Sequence, residues 1–112
     1  MSFRTQTFLW VLQRASAAVL ALCVTVHLAT MIYAIRGGLS AAEILSRTRG
    51  SAGWLAFYSV FVLAVTVHAP IGLRGVLEEW FGWRGASREV FLVGLAMLLA
   101  GLGMRAVFGV FL

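Results

Sequence analysis

Three long runs without charge constrain this chain more than any other feature of its sequence. They cover residues 15–35, 54–73 and 90–112, and only Arg105 interrupts the third run. A helix of about 20 residues rises roughly 30 Å, which is the thickness of the hydrocarbon core of a bilayer. The runs therefore predict an all-α integral membrane bundle of three transmembrane helices, which forms a single domain over residues 1–112.

Composition excludes the main alternatives to a membrane protein. Hydrophobic residues make up 62% of the chain and charged residues only 12%, so a soluble domain of this size has no means of burying its apolar surface. The net charge of +5 falls between the apolar runs, which argues against a nucleic-acid-binding face. The first run exceeds the apolar stretch of a signal peptide, and Cys23, the single cysteine, permits no intrachain disulfide.

The two connections between the runs differ in character. Residues 36–53 contain a weakly amphipathic stretch that begins at Ser40, with Glu43 at the N3 position, and we predict a short surface helix there. Residues 74–89 mix arginine, glutamate and tryptophan, a composition that suits water, lipid headgroups or a protein partner. Five arginines lie on the side of the N-terminus and four on the other side, so charge alone leaves the topology open.

His27 and His68 are the only histidines, and each lies inside an apolar run. An ionisable side chain at that depth is costly and serves as a ligand, as a proton relay or as a hydrogen-bonded bystander. On the helix face of His68, the positions four residues away are Ala64 and Gly72, which leave room for a flat macrocycle such as haem. Close helix packing explains small residues equally well, including the glycines of the third run.

Depth argues against one iron bound by both histidines. With Arg14 and Arg74 as markers of the membrane surface, His27 lies roughly 20 Å deep and His68 roughly 9 Å deep. Both axial ligands of a haem need nearly equal depth. Either each histidine therefore serves a different haem or only one of them binds, and in both cases the missing ligands must come from another chain.

Three pieces of sequence resemble the cytochrome b membrane anchors of succinate dehydrogenase and fumarate reductase. Residues 68–74 resemble the His-x-x-x-Gly-x-Arg signature of their second span, in which the histidine binds haem b. Residues 13–17 are similar to the His-Arg-x-Ser-Gly motif that opens their first span, and residues 78–80 stand where many anchors carry Asp-Tyr. The spacing from Gln13 to His27 is also similar to that of the anchors with two haems.

The resemblance implies a subunit of succinate:quinone oxidoreductase that attaches the flavoprotein and iron–sulfur subunits to the bacterial cytoplasmic membrane. It implies one or two haem b groups shared with a second anchor chain in a larger helix bundle, quinone as the substrate, and a cytoplasmic N-terminus. The isolated chain is expected to have no catalytic activity. The implied haem-binding residues are His68, His27, Arg74 and Arg105, and the implied quinone-binding residues are Gln13, Arg14, Ser16, Glu79, Trp80 and Trp83.

The chain departs from the family pattern at the quinone-binding positions. Gln13 replaces a histidine, Ala17 replaces a glycine, and Glu79-Trp80 replaces Asp-Tyr. An indole N–H can donate to a quinone carbonyl but cannot accept as a tyrosine hydroxyl does. The two arginines have alternatives as well, because each can reach lipid headgroups instead of a haem propionate.

Other functions fit the sequence less well. A proton-coupled transporter needs a carboxylate within a span, and all four glutamates lie outside the runs or at their edges. The cytochrome b subunit of a hydrogenase or formate dehydrogenase also has histidines on membrane helices, but generally more spans. In a haem-free structural or assembly subunit, the histidines would only form hydrogen bonds.

Overall fold

The computed structural model describes residues 2–112, which form four helices and no strand. The helices are α1 (Phe3–Arg36), α2 (Ala41–Thr48), α3 (Ala52–Phe81) and α4 (Ala86–Phe111). Of these, α1, α3 and α4 are long and apolar enough to cross a membrane. The prediction of an all-α membrane bundle with three spans is confirmed.

Two of the helices, α1 and α3, extend well beyond the predicted spans. α1 has 34 residues and is about 51 Å long, so its first turns project past a hydrocarbon core of roughly 30 Å. α3 continues to Phe81 and ends where Gly82 adopts a left-handed conformation with φ of 61°. The predicted connection over residues 74–89 is therefore mostly helical, because charged residues mark the membrane boundary without ending a helix.

α2 is the short surface helix that the sequence predicts. The hydroxyl of Ser40 accepts a hydrogen bond from the backbone N–H of Glu43 at 3.2 Å and donates one to the Glu43 carboxylate at 3.1 Å. This reciprocal cap stabilises the first turn of α2. At the other end of α2, Thr48 donates to the carbonyl of Val110 at 2.8 Å and thereby attaches α2 to the end of α4.

The three long helices form an antiparallel layer in which α3 lies between α1 and α4. The N-terminal part of α1 lies beside the C-terminal part of α3, so the N-terminus and the α3–α4 turn share one side, as three spans require. The layer buries few side chains, and large apolar residues such as Leu22, Leu63 and Met97 are at least 65% exposed. Such a surface suits lipid or further membrane helices.

α3 and α4 approach each other closely at Gly103. A Cβ atom at this position would lie 2.5 Å from one methyl carbon of Val62 and 3.0 Å from the other. Because a valine side chain in a helix has one strongly preferred rotamer, Val62 cannot turn away. The backbone of α4 therefore contacts α3 directly at this point.

We expect Gly103→Ala to destabilise the chain by about 1–3 kcal/mol, because the new methyl group forces the two helices apart. Gly101→Ala is the matched control, since a Cβ atom there meets no atom of the described chain within 4 Å. That control should be neutral or slightly stabilising, because alanine favours a helix over glycine. Thermal denaturation of the purified membrane complex measures both, and equal effects of the two substitutions would contradict the packing explanation.

Candidate functional site

His68 lies on the face of α3 that packs against α1. Its Nδ1 atom is 3.3 Å from the hydroxyl oxygen of Ser16, which is 7% exposed. That hydroxyl also donates to the backbone carbonyl of Gln13 at 3.0 Å. The imidazole itself is partly exposed, and the contact with Ser16 leaves its Nε2 atom as the second nitrogen available for binding.

The side chain of Gln13 fills the space beside Gly72. Its amide nitrogen lies 3.1 Å from the position that a Cβ atom of Gly72 would occupy. On this side of the helix, the missing side chain of Gly72 therefore makes room for α1, and the expectation of room for a macrocycle beside His68 stays a prediction. Within residues 2–112, the amide oxygen of Gln13 is buried without a hydrogen-bond partner.

Pro70 is buried inside α3, two residues from His68. Proline has no N–H group, so the backbone carbonyl of Thr66 loses its helical donor, as the sequence predicts. The hydroxyl of Thr66 is likewise buried without a partner among the residues that the structure describes. The helix thus carries unsatisfied polar atoms close to the candidate ligand, and such groups call for water or a polar partner.

His27 lies on α1 against an aromatic group of α3. Its Nδ1 atom is 3.4 Å from the hydroxyl of Tyr58, and its ring meets the ring of Phe61 edge-on, with centroids 5.7 Å apart. The imidazole also lines an apolar groove of about 630 Å³ that runs over α3 between α1 and α4. A groove of this size lies within the range of small-molecule and cofactor sites.

The two histidines are well separated along the bundle. Ser16, which contacts His68, precedes His27 by eleven positions on α1, and this corresponds to about 16 Å along the helix axis. The separation exceeds the roughly 10 Å expected from the arginine markers. The two values differ because long arginine side chains mark the membrane surface only approximately. Contacts between the helices instead define the heights of the two histidines relative to each other.

Arg74 forms an ion pair within the chain. Its Nε atom donates to the Glu89 carboxylate at 3.0 Å, and the same carboxylate accepts from Arg88 at 2.9 Å. Arg88 is only 6% exposed and also donates to Glu78 at 3.2 Å. Arg74 thus has a partner other than the two considered from the sequence, a lipid headgroup or a haem propionate. It belongs to an ion-pair network that joins the ends of α3 and α4.

Arg105 is exposed on α4. Its position permits either of the two roles considered from the sequence, contact with lipid headgroups or with a propionate. Arg105 also lies apart from the ion-pair network, which is at the opposite end of α4. The assignment of Arg105 to a haem remains a prediction.

The six residues predicted to bind quinone do not form one cluster in the described chain. Gln13 and Ser16 lie between α1 and α3, near His68. The Arg14 guanidinium lies 4.9 Å from the ring centroid of Trp10, and Trp83 donates to Ser87 at 2.8 Å. Glu79 and Trp80 are exposed on the last turn of α3, where Trp80 is 77% exposed.

Sequence reasoning missed the partners of the two imidazoles. From the sequence, Ser16 is predicted to bind quinone, and Tyr58 has no predicted role in the site. The sequence nevertheless carries a signal, because His27 follows Ser16 by eleven positions and His68 follows Tyr58 by ten. In antiparallel helices these nearly equal spacings place both pairs at matching heights.

The chain brings together few side chains that can bind a metal ion. Among residues 2–112, no three His, Cys, Asp or Glu side chains gather closely enough to hold a metal ion. An iron bound here would need most of its ligands from elsewhere, which is the case for haem, because its porphyrin supplies four of them.

Comparison with protein-family models gives a match over most of the chain. A family model described as the succinate dehydrogenase/fumarate reductase transmembrane subunit matches residues 1–107. No curated protein matches the chain significantly, and neither does any solved structure.

Proposed function

The chain belongs to the succinate dehydrogenase/fumarate reductase transmembrane subunit family, and we propose that it is a haem b-binding anchor that helps to pass electrons to or from quinone. Family membership and three apolar helices make it a multi-pass membrane-anchor subunit of a respiratory complex. The proposal adds the cofactor, the residues that hold it and the identity of the partners.

The observation that supports haem binding is that both imidazoles have the same hydrogen-bonding arrangement. In each, Nδ1 faces a hydroxyl group on the neighbouring helix, from Ser16 for His68 and from Tyr58 for His27. Haem iron is held by an imidazole nitrogen, and a ligating histidine usually engages its other nitrogen in a hydrogen bond. The residues present therefore fit haem, with Nε2 of each histidine as the donor.

The height difference supports two separate haem sites. Imidazoles about 16 Å apart along the helix axis cannot bind opposite faces of one haem. We assign His68 to the haem nearer the catalytic subunits and His27 to the farther one. A second anchor chain would provide the remaining axial ligand of each, and the exposed apolar faces of the layer provide surface for it.

A bound haem supplies one-electron transfer, and the residues of the chain hold it in a defined place. His68 and His27 would hold haem at two depths, so that electrons can cross part of the membrane. We propose Arg74 and Arg105 as partners for propionates; Arg74 would then exchange or share its contact with Glu89.

We place the quinone headgroup on the side of the N-terminus. Gln13 and Arg14 begin the membrane part of α1, and Glu79, Trp80 and Trp83 lie at the α3–α4 end of the layer. These side chains offer donors and aromatic surfaces suited to a quinone. The same side would contact the flavoprotein and iron–sulfur subunits in the cytoplasm of a bacterium.

Purification of the tagged chain from its native membrane in mild detergent tests the proposal. We expect a flavoprotein, an iron–sulfur protein and a second anchor to co-purify, because this chain has no flavin or iron–sulfur motif. The reduced-minus-oxidised spectrum should show haem b. A complex that retains succinate:quinone activity without haem would disprove the haem proposal and favour a purely structural anchor.

A further inference from the structure

We infer that Ser16 is a positioning residue for His68, holding the imidazole in the one tautomer that can bind iron through Nε2. The inference rests on the proposed haem function of His68. It gives Ser16 a role different from the quinone contact that the family resemblance implies.

The directions of two hydrogen bonds carry the inference. A serine hydroxyl has one hydrogen, and the Ser16 oxygen lies 3.0 Å from the backbone carbonyl oxygen of Gln13, to which it can only donate. The lone pairs of the same oxygen then face Nδ1 of His68 at 3.3 Å. With the hydroxyl hydrogen directed to Gln13, Nδ1 carries the proton of the imidazole and donates it to Ser16.

This arrangement prepares the other nitrogen for a metal. A neutral imidazole with its proton on Nδ1 has a free lone pair on Nε2, which is the form that binds iron. The bond to Ser16 also restrains rotation of the ring about its axis. Because Ser16 is 7% exposed and lies within the span, water cannot easily replace it as the acceptor.

The hydrogen bond also changes the donor strength of the ligand. An acceptor on Nδ1–H makes the imidazole more basic, and a more basic ligand favours ferric over ferrous iron. Ser16 should therefore strengthen haem binding and lower the midpoint potential of the haem held by His68. The hydroxyl has its hydrogen and one lone pair engaged, so its capacity for a quinone is small.

Ser16→Ala in the assembled complex tests the inference. We expect about a 10- to 100-fold loss of affinity for haemin, titrated into complex from haem-deficient cells. The remaining haem should have a higher midpoint potential and altered electron paramagnetic resonance g values. Ser16→Thr, which keeps the hydroxyl, should restore both properties.

Thr25→Ala is the matched control. The hydroxyl of Thr25 also donates to a backbone carbonyl of α1, that of Ala21 at 2.7 Å, and Thr25 is exposed. Haem affinity and potential should not change in this variant. If Ser16→Ala fails to assemble, Ser16→Cys replaces it, because a thiol is a weak acceptor and should still raise the potential.

The outcomes separate this inference from the proposed function. Unchanged affinity and potential in Ser16→Ala or Ser16→Cys, with haem lost in His68→Ala, would overturn the role of Ser16 and leave the haem proposal intact. Haem retained in His68→Ala would overturn both. Slower quinone reduction in Ser16→Ala with an unchanged haem potential would assign Ser16 to the quinone instead.

Discussion

His68→Ala should remove the haem nearer the catalytic subunits, reducing the haem content of the complex from about two per flavin to about one. Alanine provides no nitrogen for iron, and the described contacts bring no other histidine to this height, because His27 lies about 16 Å away along the axis. Pyridine haemochrome assays calibrated against covalent or bound flavin measure the ratio.

His68→Gln is a useful companion variant, since it keeps a polar side chain that can still reach Ser16 but offers iron no imidazole. It should lose haem as His68→Ala does, while preserving more of the α1–α3 packing. A full haem complement and an unchanged spectrum in both variants would show that His68 is not a ligand.

His27→Ala should remove the other haem and leave the one at His68 in place. The expected ratio is again about one haem per flavin, but the remaining haem should have the midpoint potential that disappears in His68→Ala. The two variants therefore serve as controls for each other, and redox titration followed by the haem absorbance distinguishes them.

One result would decide against two haem sites. If the wild-type complex contains about one haem per flavin and His27→Ala does not change it, His27 is a bystander bonded to Tyr58. In that case Tyr58→Phe should also leave the haem spectrum unchanged. With two haems, the same substitution removes the Nδ1 partner of a ligand and should shift the potential of the farther haem.

The sequence predicts the membrane spans well and the helix ends poorly. Uncharged runs mark the segments that lipid surrounds, because charge is costly there. Helices end for local reasons instead, such as the left-handed backbone of Gly82 or the cap at Ser40. For this reason α3 continues past Arg74, whereas α2 begins where its capping sequence predicts.

The candidate site is predictable at the level of residue types but not of contacts. An intramembrane histidine stands out because ionisable groups are rare in spans. Which atom meets it depends on the rotation and height of two helices, and these follow from packing at positions such as Gly72 that look equally suited to a cofactor. The pairing of Arg74 with Glu89 was hidden for the same reason, since it joins two different helices.

Both histidine contacts depend on the register of α1 against α3. His68 belongs to α3 and finds its hydroxyl on α1, while His27 belongs to α1 and finds its hydroxyl on α3. A slide of α1 by one helical turn, about 5.4 Å, would part both pairs at once. The side chain of Gln13 packs against Gly72 and opposes such a slide, so this one contact helps to keep both imidazoles in place.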